Sequence, residues 1–194
     1  MSRPVAVAIT GGIGAGKSEA LRAFARHGAA TVSSDEIVHH LLRRPEVRER
    51  VVARMGNGIV APDGEIDRGA LATVVFNDRE ALHWLEELLH PLVAAEYLQW
   101  RDALAGLPDA PAVCVTEVPL LYETGGETRF DRVVVITAPE KLRRARSLVA
   151  TDDRETRLIA DAEKVKRADF AFRNTGSLEE LDDFVASVMH SLVS

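Results

Sequence analysis

The sequence predicts an α/β fold, in which a parallel sheet of five strands is flanked by helices. Short apolar and β-branched segments alternate along the chain with segments of helical periodicity, a pattern typical of such sheets. Directly after the first apolar run, Gly11–Ser18 reads GGIGAGKS and matches G-x-x-x-x-G-K-[ST] at every fixed position. Strand, loop and helix follow each other there in the order that a phosphate-binding P-loop requires. The predicted architecture is therefore a P-loop NTPase fold.

Length and composition favour a single α/β domain with insertions. The chain has 194 residues, 46% of them hydrophobic, which is enough for one substantial core. A formal charge of −6 gives no support for a nucleic-acid partner. The single cysteine, Cys114, lies in an apolar run and is expected to be a buried structural thiol in a reducing compartment. No apolar run approaches about 18 residues, so we expect a cytoplasmic protein without a membrane anchor or signal peptide.

Each predicted element has a local signal. The first strand should end at Thr10, and the helix after it should cover Lys17–Arg26 and stop at Gly28. Three apolar residues of that helix are expected to face the core: Leu21, Phe24 and Ala25. The other strands are expected at residues 29–33, 112–118, 132–137 and 169–172. The other helices are expected at residues 37–42, 45–55, 67–76, 78–106, 139–149 and 152–167, and after a capping box at 177–180.

Two segments between the second and third strands carry special signals. Residues 56–68 contain the turn sequence Pro62-Asp63-Gly64 and are predicted to form a loop or a hairpin. Pro91 lies inside the long helix, where it lacks an N–H group and clashes with the preceding turn. We therefore expect the helix to break or kink at His90-Pro91.

The P-loop segment predicts a site for a nucleoside triphosphate. Its glycines let backbone N–H groups point at a phosphate, and the helix that follows adds the partial positive charge of its N-terminus. Lys17 brings a full charge to the outer phosphates, and the Ser18 hydroxyl is placed to hold Mg²⁺. The alternative is a glycine-rich turn that binds nothing. The residues expected to contact ATP are Gly12, Ile13, Gly14, Ala15, Gly16, Lys17, Ser18 and Glu19.

Other chemically useful residues follow the ends of neighbouring strands, where ligands of parallel sheets bind. Asp35 comes just after the second strand, so it is a candidate base for an attacking hydroxyl; alternatively it caps the next helix. Glu117 lies near the end of the third strand and could hold Mg²⁺ through water, or be a paired structural carboxylate. The turn at 119–123 reaches the same edge.

The class of P-loop protein is narrowed by what surrounds the motif. The chain has no N-K-x-D segment of the kind that reads guanine, and it is short for a transporter ATPase. It does have a helical insertion after the second strand and an arginine-rich helical pair after the fourth. That layout is typical of small-molecule kinases, in which one insertion holds the acceptor and the other closes over the phosphates.

Five segments of the chain resemble the dephospho-coenzyme A kinase family in the same order and with comparable spacing. They are ITGGIGAGKS at 9–18, DGEIDRGALATVVF at 63–76, LLHP at 88–91, VPLLYE at 118–123 and ADFAFRNTGS at 168–177. The resemblance implies transfer of the ATP γ-phosphate to the ribose 3′-hydroxyl of dephospho-coenzyme A, with Mg²⁺. The implied partners are therefore these two small molecules, and we expect a monomer.

The resemblance also implies roles for individual residues. Asp35 matches the second aspartate of the family's Asp-x-Asp element, while Ser33 stands at the first. The implied acceptor-binding residues are Asp35, His90, Pro119, Leu120, Leu121 and Glu123. The implied metal-binding residues are Ser18 and Glu117, and Asn174 and Gly176 match a turn near the adenine. Structural alternatives remain for two of these assignments. His90 could bond free carbonyls at a helix end, and Asn174 and Gly176 could simply form a turn before the last helix.

The implied lid departs most from the family, which commonly has an Arg-Asp pair and an Arg-x-x-x-Gln pattern there. Residues 149–153 read VATDD, and Leu158 stands at the glutamine spacing. Phosphoryl transfer still needs positive charge on the migrating group. The available donors are Arg143, Arg144, Arg146, Arg154 and Arg157. We expect Lys17, Asp35, Arg144 and Arg154 to act in catalysis.

The predicted organisation is one kinase domain with three regions. The nucleotide-binding core covers about 1–38, 112–140 and 168–194, the acceptor-binding helical region about 39–111, and the lid about 141–167. Two other functions stay open at this point. One is a related kinase with a different nucleotide-like acceptor, and the other is a homologue that binds ATP or coenzyme A without turnover.

Overall fold

The computed structural model describes residues 3–146 and 158–194. The chain divides into two compact units. The first consists of Met1–Ser34 and Trp100–Ser194, and it contains the whole β-sheet. The second consists of Asp35–Gln99 and is mainly helical. In the two described ranges, no helix combines the length and the apolar character needed to cross a bilayer.

The first unit contains a five-stranded sheet in the order β2-β3-β1-β4-β5, and every neighbouring pair is parallel, which confirms the predicted architecture. The strands are β1 (Val5–Thr10), β2 (Ala30–Ser33), β3 (Val113–Glu117), β4 (Arg132–Thr137) and β5 (Phe170–Arg173). All five residues of β3 are buried, and so are five of the six in β1, because strands in the middle of a parallel sheet are covered on both faces.

Four helices lie wholly within the described part of the first unit. They are α1 (Lys17–Arg26), α6 (Glu140–Arg146), α7 (Asp161–Arg167) and α8 (Leu178–Val193). Phe24 of α1 and Leu181 of α8 lie in the same buried cluster as Val7 and Ile9 of β1. The N-cap of α8 is as predicted, since the Ser177 hydroxyl accepts a hydrogen bond from the backbone N–H of Glu180 at 3.2 Å. The Cys114 thiol is buried in β3, as predicted, and burial raises its pKa to about 11, which disfavours the reactive thiolate.

Four helices belong wholly or mostly to the second unit: α2 (Ser34–Arg43), α3 (Pro45–Met55), α4 (Arg68–Asn77) and α5 (Arg79–Ala105). The predicted hairpin at 56–68 is present as a short 3-10 turn and an antiparallel bridge between Val60 and Ile66. Asp67 caps α4, because its carboxylate accepts hydrogen bonds from the N–H groups of Gly69 and Ala70. Local hydrogen bonds therefore fix the conformation of the segment from the hairpin to α4.

Of the break or kink predicted at Pro91, the break is wrong, because α5 runs through this residue without interruption, while the kink stays a prediction. The proline removes the hydrogen bond to the carbonyl of Glu87, four residues earlier. Both residues lie on the exposed side of the helix, where water can satisfy that carbonyl. Exposure therefore makes an internal proline tolerable in a helix that is held by its buried leucines, Leu85, Leu88 and Leu89.

Two smaller predictions are also wrong. Ala25 is exposed, since α1 turns Ala20, Ala23 and Phe24 toward the core. The predicted helix at 152–167 is not helical at 158–160, because α7 begins only at Asp161. Just before α7, the backbone N–H of Ile159 donates a hydrogen bond to the carboxylate of Glu123. Residues 152–157 of that prediction lie outside the described residues.

Candidate active site

The P-loop connects β1 to α1 at the centre of the sheet. Gly11 adopts a φ of 145°, and a Cβ atom built there would lie 1.9 Å from the Ile136 carbonyl oxygen of the neighbouring strand. Gly16 adopts a φ of 99° at the N-cap of α1. Both positions combine a left-handed conformation with close contact, so they require glycine. The loop is thus seated on the carboxyl ends of β1 and β4.

The amine of Lys17 lies over this loop and donates a hydrogen bond to the Gly12 carbonyl at 3.0 Å. Lys17 is also the first residue of α1, so its charge adds to the positive end of that helix. Backbone N–H groups, a helix N-terminus and a mobile cation therefore meet at one point. This is the arrangement that binds the phosphates of a nucleotide.

Ser18 and Glu117 are brought together beside the loop. The Ser18 hydroxyl donates a hydrogen bond to Oε1 of Glu117 at 3.4 Å. Glu117 is the last residue of β3, it is buried, and it pairs in register with Ile9 and with Ser33. A hydroxyl and a carboxylate are the hard oxygen donors that Mg²⁺ prefers when phosphates and water complete its shell. The donor set therefore fits Mg²⁺.

Asn174 packs against the P-loop from the end of β5. Its Nδ2 donates to the Ala15 carbonyl at 3.0 Å, while its Oδ1 accepts from the N–H of Gly176 at 3.0 Å. The side chain is buried, and Nδ2 would lie 2.3 Å from a Cβ atom at Gly16. The asparagine thus links the loop to the strand that follows the lid. The N-x-G pattern pointed to this turn, but no sequence signal pointed to the contact with the P-loop.

Two of the lid arginines lie against the P-loop. A Cβ atom at Gly12 would be 2.7 Å from Nη1 of Arg143, and one at Gly16 would be 3.8 Å from Nη1 of Arg146. Arg144 instead forms an exposed ion pair with Glu140 at 2.5 Å, one turn earlier on α6. Arg154 and Arg157 lie outside the described residues.

The turn after β3 contributes both core and ion-pair contacts. Leu121 is fully buried in a cluster with Ala8 and Val135, while Pro119 and Leu120 are half-buried. The Pro119 carbonyl accepts a hydrogen bond from the Thr10 hydroxyl at 3.2 Å, which ties this turn to the end of β1. Much of the segment predicted to line an acceptor pocket therefore also holds the sheet edge together.

Glu123 contacts the beginning of the segment 159–164, which belongs to the region predicted to be the lid. Its Oε1 accepts a hydrogen bond from the backbone N–H of Ile159 at 2.9 Å and lies 2.8 Å from the amine of Lys164. Lys164 is fully buried, and the contact is an ion pair without a well-aligned hydrogen bond. The contact to Ile159 also explains why α7 begins late. Sequence reasoning missed Lys164, because a lysine in a charged helix predicts an exposed side chain.

We predict that Glu123→Ala lowers the free energy of unfolding by about 3–5 kcal/mol, because it leaves a buried lysine charge without its partner. Urea denaturation measures this. Glu163→Ala is the matched control, since Glu163 pairs with Lys166 at 3.5 Å on the exposed side of the same helix and should cost less than about 1 kcal/mol. Equal small losses in the two variants would contradict the structural importance of the Glu123–Lys164 pair.

Two predicted site residues lie in the second unit. Asp35 is the second residue of α2, is exposed, and follows the last residue of β2 by two positions. His90 is exposed on α5, which continues through Pro91. His90 therefore does not lie at a helix end, as its alternative role assumed.

The site combines a P-loop at the end of the central strand, a lysine over that loop and a serine–carboxylate pair beside it. These features define a P-loop nucleotide-binding fold. A family model described as dephospho-CoA kinase matches residues 5–180. The chain belongs to the dephospho-CoA kinase family. A dephospho-CoA kinase from Streptomyces avermitilis is 39% identical over 197 residues, which covers 96% of this chain and 93% of the relative.

Solved structures agree with this assignment. The protein TT1252 from Thermus thermophilus has a TM-score of 0.78 and 31% identity, covering 100% of both chains. Dephospho-CoA kinase from Campylobacter jejuni has a TM-score of 0.69 and 26% identity, covering 98% of both chains.

Proposed function

We propose that this protein transfers the γ-phosphate of ATP to the ribose 3′-hydroxyl of dephospho-coenzyme A, giving coenzyme A and ADP, the last step of coenzyme A synthesis. The observation that carries the proposal is the family match over residues 5–180, on a chain whose phosphate cradle is complete. The net charge of −6 also fits small-molecule substrates better than nucleic acid. We propose a cytoplasmic monomer.

The donor side of the reaction rests on the P-loop. Its backbone N–H groups and Lys17 would hold the β- and γ-phosphates of ATP. The Ser18 hydroxyl, with Glu117 acting through water, would hold Mg²⁺, which supplies neutralisation of the phosphate charge when bound. Asn174 keeps the loop in shape through the Ala15 carbonyl, and the turn at Gly176 would lie near the adenine.

The acceptor side begins at Asp35. Its carboxylate would take the proton from the 3′-hydroxyl as the new bond from that oxygen to the γ-phosphorus forms. The bond between the γ-phosphorus and the bridging oxygen breaks at the same time, and ADP leaves with that oxygen. His90, Pro119 and Leu120 are proposed to contact the acceptor. Leu121 and Glu123 are proposed to act indirectly, because their contacts are with the core and with the segment 159–164.

Of the lid arginines, we expect Arg143 rather than Arg144 to act on the phosphates, because Arg143 lies against Gly12 and Arg144 is paired with Glu140 in solvent. Arg143→Ala should lower kcat by about tenfold or more, equivalent to about 1.4 kcal/mol of barrier. Arg144→Ala, which removes the same charge from the same helix, should leave kcat within about twofold of wild type. Steady-state kinetics with both substrates measures this, and the reverse order of effects would reassign the lid cation.

A coupled ADP-release assay tests the proposed reaction. The purified protein is given ATP and Mg²⁺ with dephospho-coenzyme A, and in parallel with AMP, adenosine or shikimate. We expect turnover with dephospho-coenzyme A to exceed that with the other acceptors. Turnover only with another acceptor would make the protein a related kinase. Absence of turnover with all of them, despite measurable ATP binding, would make it a binding protein.

A further inference from the structure

The helix α7 brings to the P-loop a carboxylate that none of the roles above uses. Asp161 is the first residue of α7, and its Oδ1 lies 3.3 Å from the position that a Cβ atom would take at Gly12. Nη1 of Arg143, which belongs to α6, lies 2.7 Å from the same position. The two opposite charges are therefore within about 6 Å of each other, close enough for a strong electrostatic interaction. Two separate helices thus place a carboxylate and a guanidinium over one glycine of the loop.

Arg143 packs against the loop with its backbone and with its side chain. A Cβ atom at Gly14 would lie 2.7 Å from the carbonyl oxygen of Arg143, so the backbone of α6 contacts the loop at this residue. The Nε atom of the side chain is buried. A guanidinium is a planar fork with five N–H donors, so one edge can face a carboxylate while the other faces a phosphate. A fixed carboxylate nearby therefore selects one orientation of a side chain that otherwise has many rotamers.

Asp161 is held in place by contacts on both sides of it in the chain. Two residues earlier, the backbone N–H of Ile159 donates a hydrogen bond to Oε1 of Glu123 at 2.9 Å. Three residues later, the amine of Lys164 lies 2.8 Å from the same oxygen, and this lysine is fully buried. One buried carboxylate therefore anchors the first turn of α7, and with it the position from which Asp161 reaches the P-loop.

Asp161 also occupies a position at which any acidic residue stabilises a helix. It lies in the first turn of α7, beside the partial positive charge of the helix N-terminus, and Glu163 lies in the same turn. Glu163 is exposed and pairs with Lys166, whereas Asp161 is half-buried beside the P-loop. Substitutions of these two acidic residues therefore separate an effect on the helix from an effect on the loop.

We infer that Asp161 is a positioning residue, which orients the guanidinium of Arg143 toward the phosphates held by the P-loop. The inference rests on the proposed function, in which Arg143 acts on those phosphates. A carboxylate beside the P-loop repels the nucleotide directly, because both are negative, so Asp161 favours the transfer only through Arg143. Loss of its charge should therefore slow the transfer without weakening the binding of ATP.

Steady-state kinetics of Asp161→Asn tests the positioning role. The variant should lower kcat by about tenfold, a coupling typical of neighbouring groups in one network. Its KM for ATP should not rise by more than about twofold, since a negative charge near the phosphates has been removed. Asp161→Glu, which keeps the charge, should recover most of the wild-type kcat. Glu163→Gln is the matched control and should leave kcat within about twofold of the wild type; equal losses in Asp161→Asn and Glu163→Gln would overturn the inference.

A double-mutant cycle shows whether the effect passes through Arg143. In the Arg143→Ala background, adding Asp161→Asn should lower kcat no further, because the group that Asp161 orients is already absent. Two independent effects of about tenfold each would instead multiply to a loss of about a hundredfold and would overturn the inference. A kcat above that of the wild type in Asp161→Asn would also overturn it, because Asp161 would then hold Arg143 away from the phosphates.

The mobility of the Arg143 side chain can be measured without turnover. In ¹⁵N-labelled protein, the Nε–Hε NMR signal of Arg143 is assigned by its absence in Arg143→Ala. Relaxation should show this group to be rigid in the wild type, and Asp161→Asn should bring its mobility close to that of the exposed Arg144. If the group stays rigid in Asp161→Asn, the positioning role is wrong even where the wild type phosphorylates dephospho-coenzyme A. If the wild type does not phosphorylate dephospho-coenzyme A but Asp161→Asn mobilises Arg143, the proposed function fails and the orienting contact stands.

Discussion

Asp35→Asn is expected to lower kcat by about a thousandfold, within the 10²–10⁴ range of general-base catalysis, and to leave ATP affinity nearly unchanged. Asparagine is isosteric with aspartate but cannot take the proton of the 3′-hydroxyl. Asp35 lies inside α2 as its second residue, and asparagine has nearly the same shape, so the start of α2 should stay intact. Steady-state kinetics gives kcat, and equilibrium titration with ATP gives the affinity.

Glu36→Gln is the matched control for this variant. Glu36 is the neighbouring exposed carboxylate on the same turn of α2, so the substitution removes the same charge one position away. Its kcat should stay close to that of the wild type. A wild-type kcat in Asp35→Asn would remove Asp35 from the mechanism, whereas an equal loss in both variants would indicate a general effect of charge near this helix.

Lys17→Ala is expected to lower kcat by about 100- to 1000-fold, the usual effect of deleting one preorganised electrostatic group from a transition state. Lys17 is the only full charge carried by the P-loop sequence, and its amine already lies within hydrogen-bond distance of the Gly12 carbonyl. Weaker ATP binding should accompany the loss, because the lysine is proposed to hold the phosphates before and during transfer. Rapid-quench and steady-state kinetics separate the two effects.

The control for Lys17→Ala is Lys166→Ala. Lys166 is exposed on α7 and forms a long ion pair with Glu163 at 3.5 Å. Removing it changes the net charge by the same amount without touching the phosphate cradle, so kcat should be preserved. A Lys17→Ala variant that retains at least half of the wild-type kcat would show that the backbone of the loop, rather than its lysine, stabilises the migrating phosphoryl group.

Local sequence patterns correctly predicted several elements of the sheet-containing unit. The G-x-x-x-x-G-K-S motif, the helix Lys17–Arg26, the strand Arg132–Thr137 and the cap at Ser177 all depend on residues that are adjacent in the chain. Backbone conformation and helix capping are local effects, so a single sequence is sufficient to predict them. The parallel direction of the strands also follows from a general rule, because alternating strands and helices build parallel sheets.

Contacts between distant segments could not be predicted in the same way. Lys164 meets Glu123, and Asn174 meets Ala15, only because the sheet brings the ends of separate strands together. The continuity of α5 through Pro91 depends on which side of the helix faces solvent, and a proline gives no indication of that. Whether Arg143 or Arg144 lies against the P-loop likewise depends on where each residue falls around α6.

The strand order has a consequence for how the protein is made. β1 lies between β3 and β4, and Val5 pairs with Val113, so more than half of the chain separates the two partners. At about 5–20 residues per second, the nascent β1 waits on the order of 5–20 seconds for its first neighbour. Such long-range pairing slows folding and leaves apolar surface open to aggregation meanwhile. Because Asn174 braces the P-loop from β5, the nucleotide site is completed only near the end of translation.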